Sequence, residues 1–426
     1  MKENSISIKK LKNGISVLLI KKEGIKNFCL LVLVKVGSEN EPKNLNGISH
    51  LIEHMSFKGT KKRPKAIEIA KILDSIGAKY NAFTSNEYTG YWIKATSPHL
   101  EIALDILSDI YLNSQFKEKE LEKEKKVVLE EIKMYEDDPK LYVWNVFLKT
   151  LYDDQPAGRP ILGKKETVEK LKRRQILNFL NKFYLGKNTL IVLAGDFKEK
   201  MAMDLIASKF KKVKNKKLPQ KKLTKIKKIP RFNHFFKKTS QVHLILGFHT
   251  FSLFDERKYP LYLLSTILGE GISSRLWQIL REKHGLCYYF SPNSDLYTDH
   301  GYFAIQAGIN LEKVDFAIKL ILKELLKLKK ETIQKKELEK AREQIKSSLI
   351  FSTETAQGMA YFFGTNLLLE NRLLTLPQIF KKIEKVTPEK IKNLANQIFE
   401  PKNFNLSIIA PKEIKISFND YLKILK

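Results

Sequence analysis

The chain has 426 residues, 43% hydrophobic and 10% aromatic, with 14 prolines and 19 glycines; it is long enough for two or three packed domains and is not a disordered, collagen-like or low-complexity chain. Lys and Arg number 77 against 47 Asp and Glu, a formal charge of +30. The lysines are spread along the chain and seldom interleaved with aromatics, and no zinc-finger spacing, RNA-binding signature or glycine-rich phosphate loop accompanies them, so the charge reads as composition and no nucleic-acid partner is expected.

Met1 to Lys22 carries neither the apolar core of a signal peptide nor the Arg and Ser richness of a transit peptide, so a cytoplasmic, reducing location is expected. Ile15 to Ile20 reads as a strand. Phe28 to Val34 is the longest apolar run and stops at Lys35. It is far short of the ~20 residues of a membrane span and reads as a strand buried on both faces. Cys29 lies in it and Cys287 in a similar stretch; two buried, reduced thiols are expected.

Gly47 to Phe57 contains His50-Leu51-Ile52-Glu53-His54. On a helix His50 and His54 stand one turn apart on one face, where two imidazoles can hold one Zn²⁺. Glu53 can reach a metal-bound water without being a ligand. This is the inverted His-x-x-Glu-His pattern of zinc proteases. Two surface histidines on an amphipathic helix are the plainer reading, but Leu51, Ile52, Met55 and Phe57 bury this segment.

A catalytic zinc needs a third protein ligand and an open position. Glu101 to Leu112 and Glu118 to Pro139 read as helices, and the second is rich in carboxylates. Most of these form a solvated face. Glu124 and Glu131 are seven residues apart and share a face, and Val127 and Val128 between them are expected to turn it inward, where a carboxylate is costly unless paired or coordinated.

Lys211 to Pro230 is lysine-rich, holds two prolines and has no apolar face, so it reads as an extended linker. Beyond it the pattern starts again with the strand-like Val242 to Leu246. Lys119-Glu120-Leu121-Glu122-Lys123 recurs as Lys336-Glu337-Leu338-Glu339-Lys340, and Glu101 to Leu112 resembles Asp315 to Leu326. This order of elements implies duplication. At the same offset Glu124 falls on Ala341 and Glu131 on Ser348, and the second half has no His-x-x-Glu-His, so the site is single. The expected fold is α+β: two homologous halves, each a mainly antiparallel sheet flanked by helices. The expected division is 1–210, a linker at 211–230, and 231–426.

With these residues in place, the chain resembles the pitrilysin/insulinase family of zinc peptidases, in its mitochondrial-processing-peptidase-like branch with bacterial members of this length. The family places a third ligand, a Glu, about 76 residues after the motif; Glu130 and Glu131 stand 76 and 77 residues after His54, and the apolar residues around them favour Glu131. The resemblance implies one Zn²⁺ per chain held by His50, His54 and Glu131, with Glu53 as general base and Glu124 as an accessory carboxylate. Gly77 to Ser85 looks like the family's Asn-Ala-x-Thr strand, so Asn81, Ala82 and Phe83 are expected to hold substrate backbone. Gly269 to Leu276 and Leu280 to Tyr288 resemble its Ser-Ser-Arg-Leu and Arg…Gly-Leu-x-Tyr segments, which makes Arg281 and Tyr288 substrate contacts from the second half. The implied protein is a zinc endopeptidase for peptides or unfolded segments, bound in a chamber between two facing halves, and a homodimer. The alternative is a non-catalytic structural or partner-activating subunit of the same architecture; such subunits are expected to have lost the motif that is intact here. With +30 overall, neutral or acidic peptides are expected to be favoured over basic ones, and broad oligopeptide cleavage over strict presequence processing.

Overall fold

The computed structural model describes residues 5–426. Its contacts divide the chain into two compact units, and neither is a continuous stretch. The first holds the described residues up to Lys133, Arg159–Lys222 and Phe351–Leu373. The second holds Met134–Gly158, Leu223–Ile350 and Leu374–Lys426.

The first unit is built on a six-stranded sheet. Its strands are β1 (Ser5–Lys10), β2 (Ser16–Lys21), β3 (Asn27–Val34), β4 (Lys79–Thr84), β5 (Thr89–Thr96) and β6 (Thr189–Gly195), in the order β1-β2-β6-β3-β5-β4. Only β2 and β6 run parallel. Because side chains alternate across a strand, the apolar run of β3 serves two cores at once. Phe28, Leu30 and Val32 pack with Leu104, Leu107 and Ile206 of the helices Leu100–Asn113 and Glu199–Lys209. Cys29, Leu31 and Leu33 pack on the opposite face with Ala356, Met359, Ala360 and Phe363 of the helix Ala356–Glu370. The expected doubly buried strand is therefore present, but one of its two covers arrives from more than 300 residues downstream in the sequence.

The second unit repeats the plan. Its strands are β7 (Arg231–Phe236), β8 (Val242–His249), β9 (Cys287–Leu296), β10 (Gly301–Ile309) and β11 (Phe404–Ala410), in the order β7-β11-β8-β10-β9. Here too one pair, β7 with β11, is parallel and the rest antiparallel. Strand for strand this matches β2-β6-β3-β5-β4, with β1 as an addition in the first unit. One face carries a large core with the helices Lys258–Gly269, Val314–Lys330 and Pro388–Ile398. The other is covered by the helix Pro139–Tyr152, whose Val143, Val146, Phe147 and Leu151 meet Ile245, Ala304 and Ile409. Each unit thus takes one covering helix from the other's stretch of sequence. The two Lys-Glu-Leu-Glu-Lys segments lie in the long helices Glu118–Asp137 and Lys335–Ser352.

Residues 213–230 form no regular element. Both cysteines are free and buried, and burial pushes the Cys29 thiol up to about 12. Among the described residues no helix is long and apolar enough to cross a membrane.

Candidate metal centre

The His-x-x-Glu-His segment forms the helix Ile48–Ser56. Ile48, Leu51, Ile52 and Met55 are fully buried, and with Val128 and Ile132 of the Glu118–Asp137 helix they form one core. That packing brings the two helices together along their functional faces. Val128 is buried as expected, but Val127 is exposed: the inward stripe runs Glu124, Val128, Glu131, a spacing of four and then three, and Val127 falls outside it.

His50, His54 and Glu131 each turn a donor atom into one cluster, with all three atoms within 4.8 Å of one another. His50 Nε2 is 3.6 Å from Glu131 Oε2, and His54 Nε2 is 3.5 Å from the same oxygen. Donors held about 2.0–2.2 Å from a tetrahedral ion stand roughly 3.3–3.6 Å apart, so both nitrogen–oxygen distances fit a shared zinc ion. Glu130 does not join them. Its side chain is 72% exposed and pairs with Lys133 at 2.7 Å.

Three further side chains shape the cluster. Glu124, 7% exposed, lies with Oε2 3.3 Å from His54 Nδ1 and Oε1 2.6 Å from Lys58 Nζ. A carboxylate there accepts a hydrogen bond from Nδ1–H, which leaves the Nε2 lone pair to face the cluster. The Thr84 hydroxyl, at the end of β4, donates to Glu53 Oε2 at 2.7 Å. At the helix N-terminus Glu41 accepts from the amides of Gly47 and Ser49.

The electrostatics separate the four groups. Burial, with the nearby His54 charge, drives the His50 imidazole down to about 4, so it is a neutral donor. Burial also opposes charge on His54, but the hydrogen bond to Glu131 and the nearby Glu53 and Glu124 carboxylates outweigh it and hold its pKa above the ordinary value. The His54 contact keeps Glu131 ionised, below the usual carboxylate range. Glu53 is shifted the opposite way, upward, chiefly because it is buried. A carboxyl raised in this way is suited to taking and releasing a proton.

Among the described residues β4 is the terminal strand of its sheet, paired only with β5. Asn81, Ala82 and Phe83 lie on it; the Asn81 side chain accepts from the Ala82 amide, and the Phe83 ring packs against Tyr361 at 5.1 Å. Arg281 and Tyr288 belong to the second unit. Arg281 lies in a π-helical turn, Trp277–Lys283, and stacks on Trp277 at 4.6 Å. Tyr288, on β9, is 66% exposed. Sequence reasoning did not single out Thr84, Lys58 or Glu41. Thr84 sat within the quoted strand, but nothing in its spacing pointed at Glu53. Lys58 and Glu41 carried no local signal at all.

Residues 16–165 match the family model described as Insulinase (Peptidase family M16), and residues 170–345 match that described as Peptidase M16 inactive domain. The chain is 35% identical to the uncharacterized zinc protease YmxG of Bacillus subtilis, over 94% of this chain and 97% of that one. It is 34% identical to an uncharacterized zinc protease of Rickettsia felis, over 97% and 100%. A crystal structure of a protease from Helicobacter pylori superposes with a TM-score of 0.89 at 26% identity, covering 96% of this chain and 100% of that one.

Proposed function

The chain belongs to the insulinase family of peptidases, family M16, and on that premise we propose that it is a zinc-dependent endopeptidase acting on peptides and unfolded segments. The observation that carries the reading is the convergence of His50, His54 and Glu131 beside a half-buried, upward-shifted Glu53. The match to an inactive domain is confined to residues 170–345, and this cluster lies outside it.

His50 Nε2, His54 Nε2 and Glu131 Oε2 would hold the metal. Bound there, Zn²⁺ supplies Lewis-acid polarisation of the scissile carbonyl and a water of lowered pKa. Thr84 fixes Glu53 by its Oε2, so Oε1 takes the proton of the attacking water and hands it to the departing amine nitrogen. Glu124 orients His54. The unpaired edge of β4 at Asn81, Ala82 and Phe83 takes substrate backbone as an added strand, which a folded protein cannot offer. Arg281 and Tyr288 as substrate contacts, one zinc per chain, cleavage of neutral or acidic oligopeptides rather than strict presequence processing, a homodimer and a cytoplasmic location belong to the same proposal.

The test is zinc content together with cleavage of an unstructured peptide library. Wild type should carry about one zinc and lose activity with a chelator. Glu53→Gln should keep the zinc and lose about 10²–10⁴-fold in turnover. Cleavage that persists in the zinc-free protein, or is undiminished in Glu53→Gln, would refute the reading.

A further inference from the structure

We infer that Glu41 is a positioning residue for the metal centre: its carboxylate fixes the first turn of the Ile48–Ser56 helix and so sets where His50 stands. The inference rests on the zinc reading above.

The first amides of a helix lack intrahelical partners and are ordinarily met by an N-cap side chain. Here the N-cap is Gly47, which has none. Glycine is required at that position: its φ is +96°, and a Cβ would meet the Leu162 carbonyl oxygen at 2.7 Å. The cap is therefore supplied from upstream. Glu41 Oε2 accepts from the Gly47 amide at 2.7 Å, and Oε1 from the Ser49 amide at 2.8 Å, one residue before His50. Asn46 Nδ2 donates to the same Oε2 at 3.0 Å.

The segment that carries Glu41 is itself tied down. The Ser38 amide donates to Ser85 O at 3.1 Å and the Glu39 amide to Asn86 O at 2.8 Å. Ser85 follows Thr84, which holds Glu53. Residues 37–41 thus link the end of β4 to the start of the motif helix, and both the ligand His50 and the base Glu53 are referenced to one short piece of backbone.

At neutral pH and above, the buried charge of Glu41 works against overall stability. Glu41 is 2% exposed, and burial pushes its carboxyl up to about 7 despite the bonds it accepts. A carboxyl with a raised pKa in the fold makes stability fall as pH rises from the ordinary carboxylate value toward 7, and the cost is fully present above that. A neutral residue of the same size would avoid it. What the carboxylate offers in return is two acceptor oxygens aimed at two amides, with a negative charge at the positive end of the helix.

The experiment titrates the full-length chain at pH 8 with Zn²⁺ alone, in competition with a fluorescent chelator, and melts the zinc-free protein alongside. Glu41→Gln should melt at or above the wild-type temperature and bind zinc about tenfold more weakly, because its amide can accept only one of the two bonds. Unchanged zinc affinity overturns the inference. So does weaker binding with a matching fall in the zinc-free melting temperature, since general destabilisation then accounts for it. Should Glu41→Gln fail to fold, Asn46→Ala removes one donor to the carboxylate; about threefold weaker zinc binding is expected, and an unchanged affinity overturns the inference. Absence of zinc binding by the wild type overturns the metal reading and this inference with it, whereas normal wild-type binding with an unchanged variant overturns this inference alone.

Discussion

Glu124→Gln keeps the size of the side chain and removes its charge. In the wild type both oxygens are engaged: Oε1 with the Lys58 ammonium at 2.6 Å and Oε2 with His54 Nδ1 at 3.3 Å. The Glu124 side chain is 7% exposed, so little water reaches its oxygens. A carboxylate offers two acceptors; an amide offers one acceptor and one donor. With the amide oxygen toward Lys58, its NH₂ faces His54 Nδ1, and His54 must carry its proton on Nε2, the nitrogen that faces Glu131. With the oxygen toward His54, the NH₂ abuts the Lys58 ammonium, which is left without an acceptor. Either arrangement weakens the donor set. Loss of such an orienting partner typically costs 10–100-fold in metal affinity, about 1.4–2.7 kcal/mol. Competition with a fluorescent zinc chelator at neutral pH measures it directly, and peptidase activity at saturating zinc should largely recover. A zinc affinity within about twofold of wild type would refute the reasoning that Glu124 acts through His54.

Glu131→Gln should lose its zinc on dialysis, while Glu130→Gln, whose carboxylate only pairs with Lys133 in solvent, should retain it; metal analysis of the two variants reads this out, and the reverse result would make Glu130 the ligand. Thr84→Val removes the hydroxyl that donates to Glu53 Oε2, so kcat should fall about 10- to 100-fold with zinc content unchanged, given that a hydrogen bond to a charged group contributes roughly 1.5–3 kcal/mol. Residues 1–215 expressed alone lack the helix Ala356–Glu370 and would leave Leu18, Ile20, Leu31, Leu33 and Val192 uncovered; the fragment should bind a hydrophobic dye and self-associate, and a monodisperse, dye-silent fragment would contradict the packing.

What the sequence determined by itself was local or periodic. His50 and His54 share a helical face because the turn repeats every 3.6 residues, and any helix through Leu51, Ile52 and Met55 puts them there. The run Phe28 to Val34 is apolar at every position, so its strand had to be buried on both sides. The duplication was legible because the Lys-Glu-Leu-Glu-Lys segments recur with the same order of elements around them; they lie in the corresponding long helices of two units whose sheets, β1 aside, share one strand order. Only the tertiary structure decided which groups meet across distance. Glu130 and Glu131 are adjacent in sequence, and what separates them is the rotation of a helix whose Val128 and Ile132 pack against the motif helix. Thr84 and Glu41 reach the motif through bonds spanning 31 and 6 to 8 residues, with no pattern to announce them. The exchange of covering helices lies furthest from the sequence signal. An apolar helix such as Ala356–Glu370 must be buried, but its composition does not say against which sheet, and that choice follows from which face the rest of the chain leaves uncovered.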